Sequence, residues 1–387
     1  MLVAAIVFWA CAALIVYGQV GYGLLLALLA RLRGGAAASS STGREAVPDE
    51  RLPSVSLIVA AYKEEAVIAE KVANVRALDY PTDKLELIVA CDGSPDATPR
   101  RAREAGADVV LELPRGGKIR AQDAAVRQAR GELVAFSDAN AFWAPDALTR
   151  LVAPFARDPR VGYVCGQVAF VNETDGGTNQ EGLYWRYEMA LRSLESRLAS
   201  VTGGNGAIYA TRRDAYVEVD PIMGHDLSFP FTMVKRGWKA LYAPDARASE
   251  KMVPSIEGEF ARKRRMMGHG WPIVLRGGLL SPKGYGPLYA LMIFSHRLLR
   301  YAMPFLHVLL LAANVVLVAG GAGWVYVAAL AAQAALVLGA VLAPALPARP
   351  LLVARYYVLT QAALAAGLSD WLGHGTEAGW SPAEGTR

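Results

Sequence analysis

The chain opens on an uninterrupted apolar run. Residues 2–30, LVAAIVFWACAALIVYGQVGYGLLLALLA, carry no charge and exceed the roughly 20 apolar residues that a bilayer-spanning helix needs. No basic region precedes the run, and it is too long for a cleaved leader. It predicts a transmembrane helix over 1–31. Three further apolar runs, 302–320, 322–343 and 351–368, lie near the other end, with APALPARP as a turn between the last two. They predict C-terminal transmembrane segments within 302–372, followed by a tail over 373–387. The third run contains Arg355 and also suits an interfacial position. Ahead of them, LYALMIFSHRLLRYAM at 288–303 gathers Arg297 and Arg300 at one end, which predicts an interfacial helix region over 271–301.

Between the apolar ends the pattern changes. GGAAASSSTGREAVPDERL at 34–52 has linker composition, giving a linker over 32–52 and a folded domain over 53–270. In that domain VSLIVAA, LELIVAC, ADVVLEL and ELVAFSD recur as short apolar runs. EEAVIAEKVANVRAL and GKIRAQDAAVRQAR separate them with helical spacing. Continuous apolar strands alternating with helices predict an α/β fold with a mainly parallel sheet and helices on both faces.

Composition agrees with a membrane protein: 53% of the 387 residues are hydrophobic. Arg31, Arg33 and Arg44 follow the first span, and Arg297 and Arg300 precede the next. The positive-inside bias therefore puts the intervening domain in the cytoplasm, at the plasma membrane. Three C-terminal spans would leave the tail on the other face, and its charges Glu377, Glu384 and Arg387 are too balanced to test that. A net charge of +5 suits anionic lipid and a phosphorylated ligand and excludes a nucleic-acid binder, which needs a concentrated basic face. Cys11, Cys91 and Cys165 show no paired spacing, so neither a disulfide framework nor a zinc site is expected.

Ligands of parallel sheets bind beyond the carboxyl ends of the strands. In strand order those ends read AYKEE, CDGS, PRGGK and SDAN. Asp92 can accept from a base or ribose, Glu64 can hold a second donor group, and Lys118 can place a point charge near phosphate. LVAFSDANAF leaves its strand at Asp138, either as a plain turn or to present a carboxylate to a metal-bound ligand. No G-x-G-x-x-G is present, which argues against a dinucleotide site.

Taken together, these residues resemble the family 2 inverting glycosyltransferases, membrane-bound enzymes similar to cellulose synthase and poly-N-acetylglucosamine synthase. The resemblance covers roughly 53–270 and implies the nucleotide-sugar-binding fold called GT-A. It implies that the loop from Ala61 to Glu64, together with Asp92 and Lys118, binds the donor. It implies a divalent cation, Mg²⁺ or Mn²⁺, at Asp138-Ala139-Asn140, where Asn140 replaces the usual third Asp. VTGGNGAIYATRR at 201–213 resembles the glycine-rich segment that borders the acceptor, which implies Gly203, Gly204 and Asn205 there. In MGHDLSF, Asp226 matches the catalytic base and His225 replaces the usual acid before it. EFARKRRMMGHGW at 259–271 is similar to the Q-x-x-R-W segment that contacts diphosphate and acceptor. Arg265 keeps the arginine, Arg262 stands at the glutamine and Met266 at the tryptophan, so the aromatic platform of processive synthases is missing.

The resemblance implies metal-dependent, inverting transfer of a hexose or N-acetylhexosamine from a UDP-sugar to a lipid-linked or saccharide acceptor. Membrane lipid and polysaccharide-export proteins are the implied partners. A polyprenyl-phosphate glycosyltransferase and a catalytically silent nucleotide-binding membrane subunit are the rival expectations.

Overall fold

The computed structural model describes residues 1–34, 48–171, 179–251 and 256–379. Most of the expected linker, with Arg44, Glu384 and Arg387, lies outside the described residues. The chain begins with α1 (Leu2–Val16), a π-helical turn at Tyr17–Gly21, and α2 (Tyr22–Leu32). The α/β region follows with β1 (Val55–Ala61), α3 (Ile68–Arg76), β2 (Leu85–Asp92), α4 (Thr98–Glu104), β3 (Val109–Leu113), α5 (Lys118–Gln128) and β4 (Leu133–Asp138). It continues through β5 (Phe142–Trp143), α6 (Ala147–Arg157), β6 (Val161–Val171), α7 (Asn179–Leu198), β7 (Tyr209–Arg212), α8 (His225–Lys235) and β8 (Lys239–Lys251). The last helices are α9 (Ile256–Leu275), α10 (Pro287–Met292), α11 (Leu299–Ala319), α12 (Trp324–Leu342) and α13 (Arg349–His374).

The chain divides into two compact units. The larger, built around residues 29–254, holds one sheet in the order β3-β2-β1-β4-β7-β6-β8-β5. The expected parallel half is present: β2 and β4 flank β1 in parallel, and β3 joins β2 in parallel. Every residue of β1 is buried, as a strand covered on both faces requires. Leu57 and Val59 enter one core cluster and Ile58 the opposite one, with Ile88, Val134 and Phe136. The other half is mixed. Strand β7 runs antiparallel between β4 and β6, β8 lies parallel to β6, and β5 is antiparallel on β8. Strand β8 runs unbroken from Lys239 to Lys251, because it follows β6 along its length through two register shifts.

The smaller unit comprises Met1–Leu28, Ser255–Trp271 and Leu291–Gly375. Among the described residues, four helices are long and apolar enough to cross a membrane: Leu2–Leu32, Pro287–Ala319, Trp324–Leu342 and Arg349–His374. The region expected as a separate interfacial helix at 288–303 is continuous with the following span through a π-helical turn at Ile293–Leu298. The two π turns carry polar groups that meet. Tyr17 and Ser295 share a 2.7 Å hydrogen bond, and Gln19 donates to the Tyr357 hydroxyl, which also pairs with His307. Such pairing satisfies groups that hydrocarbon cannot. Helix α13 also holds α9: Arg264 makes a two-pronged ion pair with Asp370, and Lys263 donates to Tyr356 and Thr360.

Candidate functional site

The ends of β1, β2 and β4 bring their polar loops to one edge of the sheet, because the three strands run parallel and in register. After β1, Ala61 is fully buried and Lys63 adopts a left-handed conformation (φ 55°). That conformation costs on the order of 1 kcal/mol in a non-glycine residue. The Lys63 amide donates to the Ser94 hydroxyl, and the amide of buried Glu64 donates to Thr98. The loop after β1 is thereby fastened to the loop after β2.

Asp92, at the end of β2, is 1% exposed. Its carboxylate accepts from the Arg115 guanidinium at 2.6 Å and from the backbone amides of Gly116 and Gly117. Gly117 has φ +98°, a conformation that opens helix α5 and that a side chain would strain. The Arg115 guanidinium stacks 3.4 Å from the centre of the Tyr62 ring. An acid, a flat cation and an aromatic face thus lie together.

Lys118, the first residue of α5, reaches the β4 end and forms an ion pair with Asp138. Its Nζ also lies 3.5 Å from the Gly206 carbonyl. A Cβ at Gly206 would sit 3.3 Å from that Nζ and 4.0 Å from the Asp138 carboxylate, so the glycine-rich loop faces the acid directly. Among the described residues no three His, Cys, Asp or Glu side chains converge as a metal cluster. The expected donors are the oxygens of Asp138 and Asn140. One carboxylate and one amide fit a hard cation that takes its other ligands from a diphosphate and water.

The glycine-rich loop is tied to the expected base. The Gly204 amide donates to the Asp226 carbonyl at 2.6 Å, and Arg192 donates to the Gly204 carbonyl. Asn205 does not offer its side chain to a ligand. Its amide donates to the Gly166 carbonyl and accepts from the amides of Ala207 and Ile208, so it shapes the loop. A Cβ at Gly204 would overlap the Tyr163 hydroxyl, so Gly204 is packed inward, and Gly206 faces the site in its place.

Asp226 is the second residue of α8, and its partly exposed carboxylate folds back over the first turn. A Cβ at Gly224 would meet its Oδ1 at 2.6 Å. Buried His225 is stacked 4.0 Å from Phe229 and shares a 2.8 Å hydrogen bond with the Tyr209 hydroxyl through Nδ1. Burial, with the positive charge of Lys118, pulls its pKa down to about 3. His225 is therefore a neutral packing group, and the acidic member of the pair is Asp226. The Tyr209 hydroxyl is held far above its ordinary pKa by burial, and the charges of Asp138 and Asp226 both add to that shift. The two carboxylates therefore act on one phenol.

Arg262 and Arg265 lie on α9 in the other unit. There the Arg262 guanidinium contacts the Met266 sulfur, and Met266 is exposed. Sequence reasoning missed Lys71, which is fully buried and donates to the Ala141 carbonyl immediately after the Asp-Ala-Asn turn. Burial pushes its pKa down to about 7, against the opposing pull of Asp138 and Glu250. Nearby Asn74 clamps both backbone groups of Trp143. The available signal was a lysine set among Ile68, Val72 and Val75 on the apolar stripe of α3.

Known proteins resemble this chain. The chain is 29% identical over 236 residues to an N-acetylglucosaminyltransferase of Mesorhizobium japonicum, covering 56% of this chain and 55% of that protein. It is 24% identical over 254 residues to the poly-beta-1,6-N-acetyl-D-glucosamine synthase of Staphylococcus aureus, covering 63% and 61%. It is 28% identical over 271 residues to the beta-monoglucosyldiacylglycerol synthase of Synechocystis sp., covering 65% and 55%. The chain therefore spans little more than half the length of these relatives. A solved mannosyltransferase from Pyrobaculum calidifontis, in complex with GDP-Man and Mn²⁺, is 26% identical with a TM-score of 0.70, covering 95% of this chain and 99% of that one. Residues 53–269, more than half of the chain, match the family model described as "Glycosyltransferase like family 2". By that match, on a GT-A-like fold, the chain belongs to glycosyltransferase-like family 2.

Proposed function

We propose that this protein is a membrane-bound, inverting, metal-dependent glycosyltransferase. It would move a hexose or N-acetylhexosamine from a UDP-sugar to a lipid-linked or saccharide acceptor, with its catalytic domain in the cytoplasm. The observation that carries the reading is the convergence of Lys118, Asp138, Gly206 and the Gly204–Asp226 link at one sheet edge. The names of the Mesorhizobium, Staphylococcus and Synechocystis relatives support a glucosyl or N-acetylglucosaminyl donor. The Pyrobaculum neighbour favours a second reading, a GDP-linked mannosyl donor.

In this mechanism Asp92 and Tyr62 bind the nucleotide base in place of the Arg115 guanidinium that covers them, and Lys118 places fixed positive charge beside the diphosphate. Asp226 takes the proton of the acceptor hydroxyl as its oxygen attacks the anomeric carbon, on the face opposite the leaving nucleotide. A single displacement inverts that carbon. The Gly206 backbone, free of a side chain, lets the sugar approach closely. Buried Lys71 holds the turn that presents Asp138. A divalent cation bound by Asp138 and Asn140 would supply Lewis-acid neutralisation of the diphosphate.

The experiment is nucleotide release by the purified chain in detergent from UDP-glucose, UDP-N-acetylglucosamine and GDP-mannose, with Mn²⁺, Mg²⁺ or chelator. Metal-dependent release from one UDP-sugar is expected. Release from GDP-mannose alone selects the second reading, and release undiminished by chelator removes Asp138 and Asn140 from their metal role.

A further inference from the structure

We propose that residues 376–379, the segment after the last helix, form a strap across the nucleotide pocket that the donor must displace to bind. The placement is an observation of the fold. Helix α13 ends at His374, and Gly375, with a φ of +76°, caps it and turns the chain. Three residues later, the Ala378 carbonyl oxygen lies 2.1 Å from where a Cβ on Gly117 would stand, and its carbonyl carbon lies 2.7 Å away. Backbone therefore rests directly on the Gly117 backbone, a contact that only glycine at 117 permits. A Cβ on Gly379 would lie 3.8 Å from the Arg115 guanidinium.

The surfaces that a base needs are thus all covered. The Asp92 carboxylate receives Arg115 and the amides of Gly116 and Gly117. The Tyr62 ring carries the Arg115 guanidinium at stacking distance. The open side of Gly117 carries Ala378. A flat base that takes the Asp92 edge and the Tyr62 face has to move Arg115, and Arg115 is flanked by the strap. The strap residues Thr376-Glu377-Ala378-Gly379 carry no large apolar side chain, so displacing them exposes little apolar area. The nucleotide assignment of this surface is the reading proposed above.

The test compares the full chain with one ended after His374, reading two quantities. Hydrogen exchange of the 113–119 peptide reports the strap itself and needs no nucleotide. Faster exchange in the shortened chain is expected, and equal exchange in the two chains overturns the strap. Affinity for UDP and GDP reports its consequence. A strap docked in about nine molecules of ten weakens the apparent affinity about tenfold, so the shortened chain is expected to bind about tenfold tighter. A peptide of residues 375–387 added in trans is expected to reverse the gain. Equal or weaker binding by the shortened chain overturns the gating role. If neither chain binds either nucleotide while exchange still differs, the strap stands and the nucleotide reading fails.

Discussion

Where the resembled family carries an acidic pair, this chain has His225 and Asp226, and the two side chains sit in opposite settings. Asp226 keeps a partly exposed carboxylate at the start of α8, and its carbonyl anchors the glycine-rich loop. Replacing it with Asn preserves size and the backbone link while removing the proton acceptor. Asp226→Asn is expected to lower kcat by about 10²–10⁴-fold with unchanged nucleotide affinity, measured by turnover and by calorimetric titration. Equal turnover would remove Asp226 from the base role. His225 is enclosed by Phe136, Tyr209, Tyr216 and Phe229. Restoring the family's acid there would bury a carboxylate against rings. His225→Glu is therefore expected to destabilise the domain by about 2–4 kcal/mol, read as a lowered unfolding temperature, and not to raise activity. An equally stable variant would show that His225 is not a packing residue.

At the scale of elements, α5 does two jobs with opposite faces. Its first residue, Lys118, pairs with Asp138 at the candidate site, while Asp123 one turn later is buried and accepts a 2.6 Å hydrogen bond from Tyr216. Burial pushes the Asp123 pKa up from 3.8 to about 6, outweighing the Tyr216 hydrogen bond. The folded state then holds more protons than the unfolded state between those two values, so stability falls as pH rises from about 4 to about 6 and stays low above. Asp123→Asn keeps the acceptor for Tyr216 and removes the penalty. It is expected to gain about 3 kcal/mol at pH 7.5 and almost nothing at pH 4, checked by unfolding at the two pH values. A gain independent of pH would exclude the ionisation.

The legibility of the fold follows the same division by element. The strands β1 to β4 and helices α3 and α5 were readable because each is a continuous apolar run or a clear helical stripe next to its sequence neighbour. The mixed half of the sheet was not, because β6, β7 and β8 find their partners across long separations and β8 exposes residues such as Asp245 and Arg247. Of the candidate site, Asp92, Lys118 and Asp138 were legible as polar residues at or just after strand ends, and Asp226 only through the family resemblance. Lys71, the inward Gly204 and the side chain of Asn205 acquire their roles only from contacts made in three dimensions.

At the scale of the whole chain, the α/β region and the segment 376–379 touch each other, at Gly117 and Ala378. Residues in contact share one side of any bilayer. The chain that runs from Pro287 to His374 therefore has to return to the side it left, which demands an even number of crossings. Three helices in that stretch meet the length and hydropathy of a span, and three is odd. On this argument two of them traverse, and the tail that counting spans would put on the far face is expected on the near one. Helix α13 is the candidate to stay in the interface. Its mean hydropathy, 1.4, is the lowest of the four helices, and it carries Arg349, Arg355 and Asp370. The three native cysteines are all buried, so introduced thiols read cleanly. Cysteines at Ala378 and at exposed Glu218 are expected to label from the same side of sealed vesicles, and labelling from opposite sides would break the argument. Labelling from one side would make the last helix a beam laid along the lipid surface and not a further rung of the ladder.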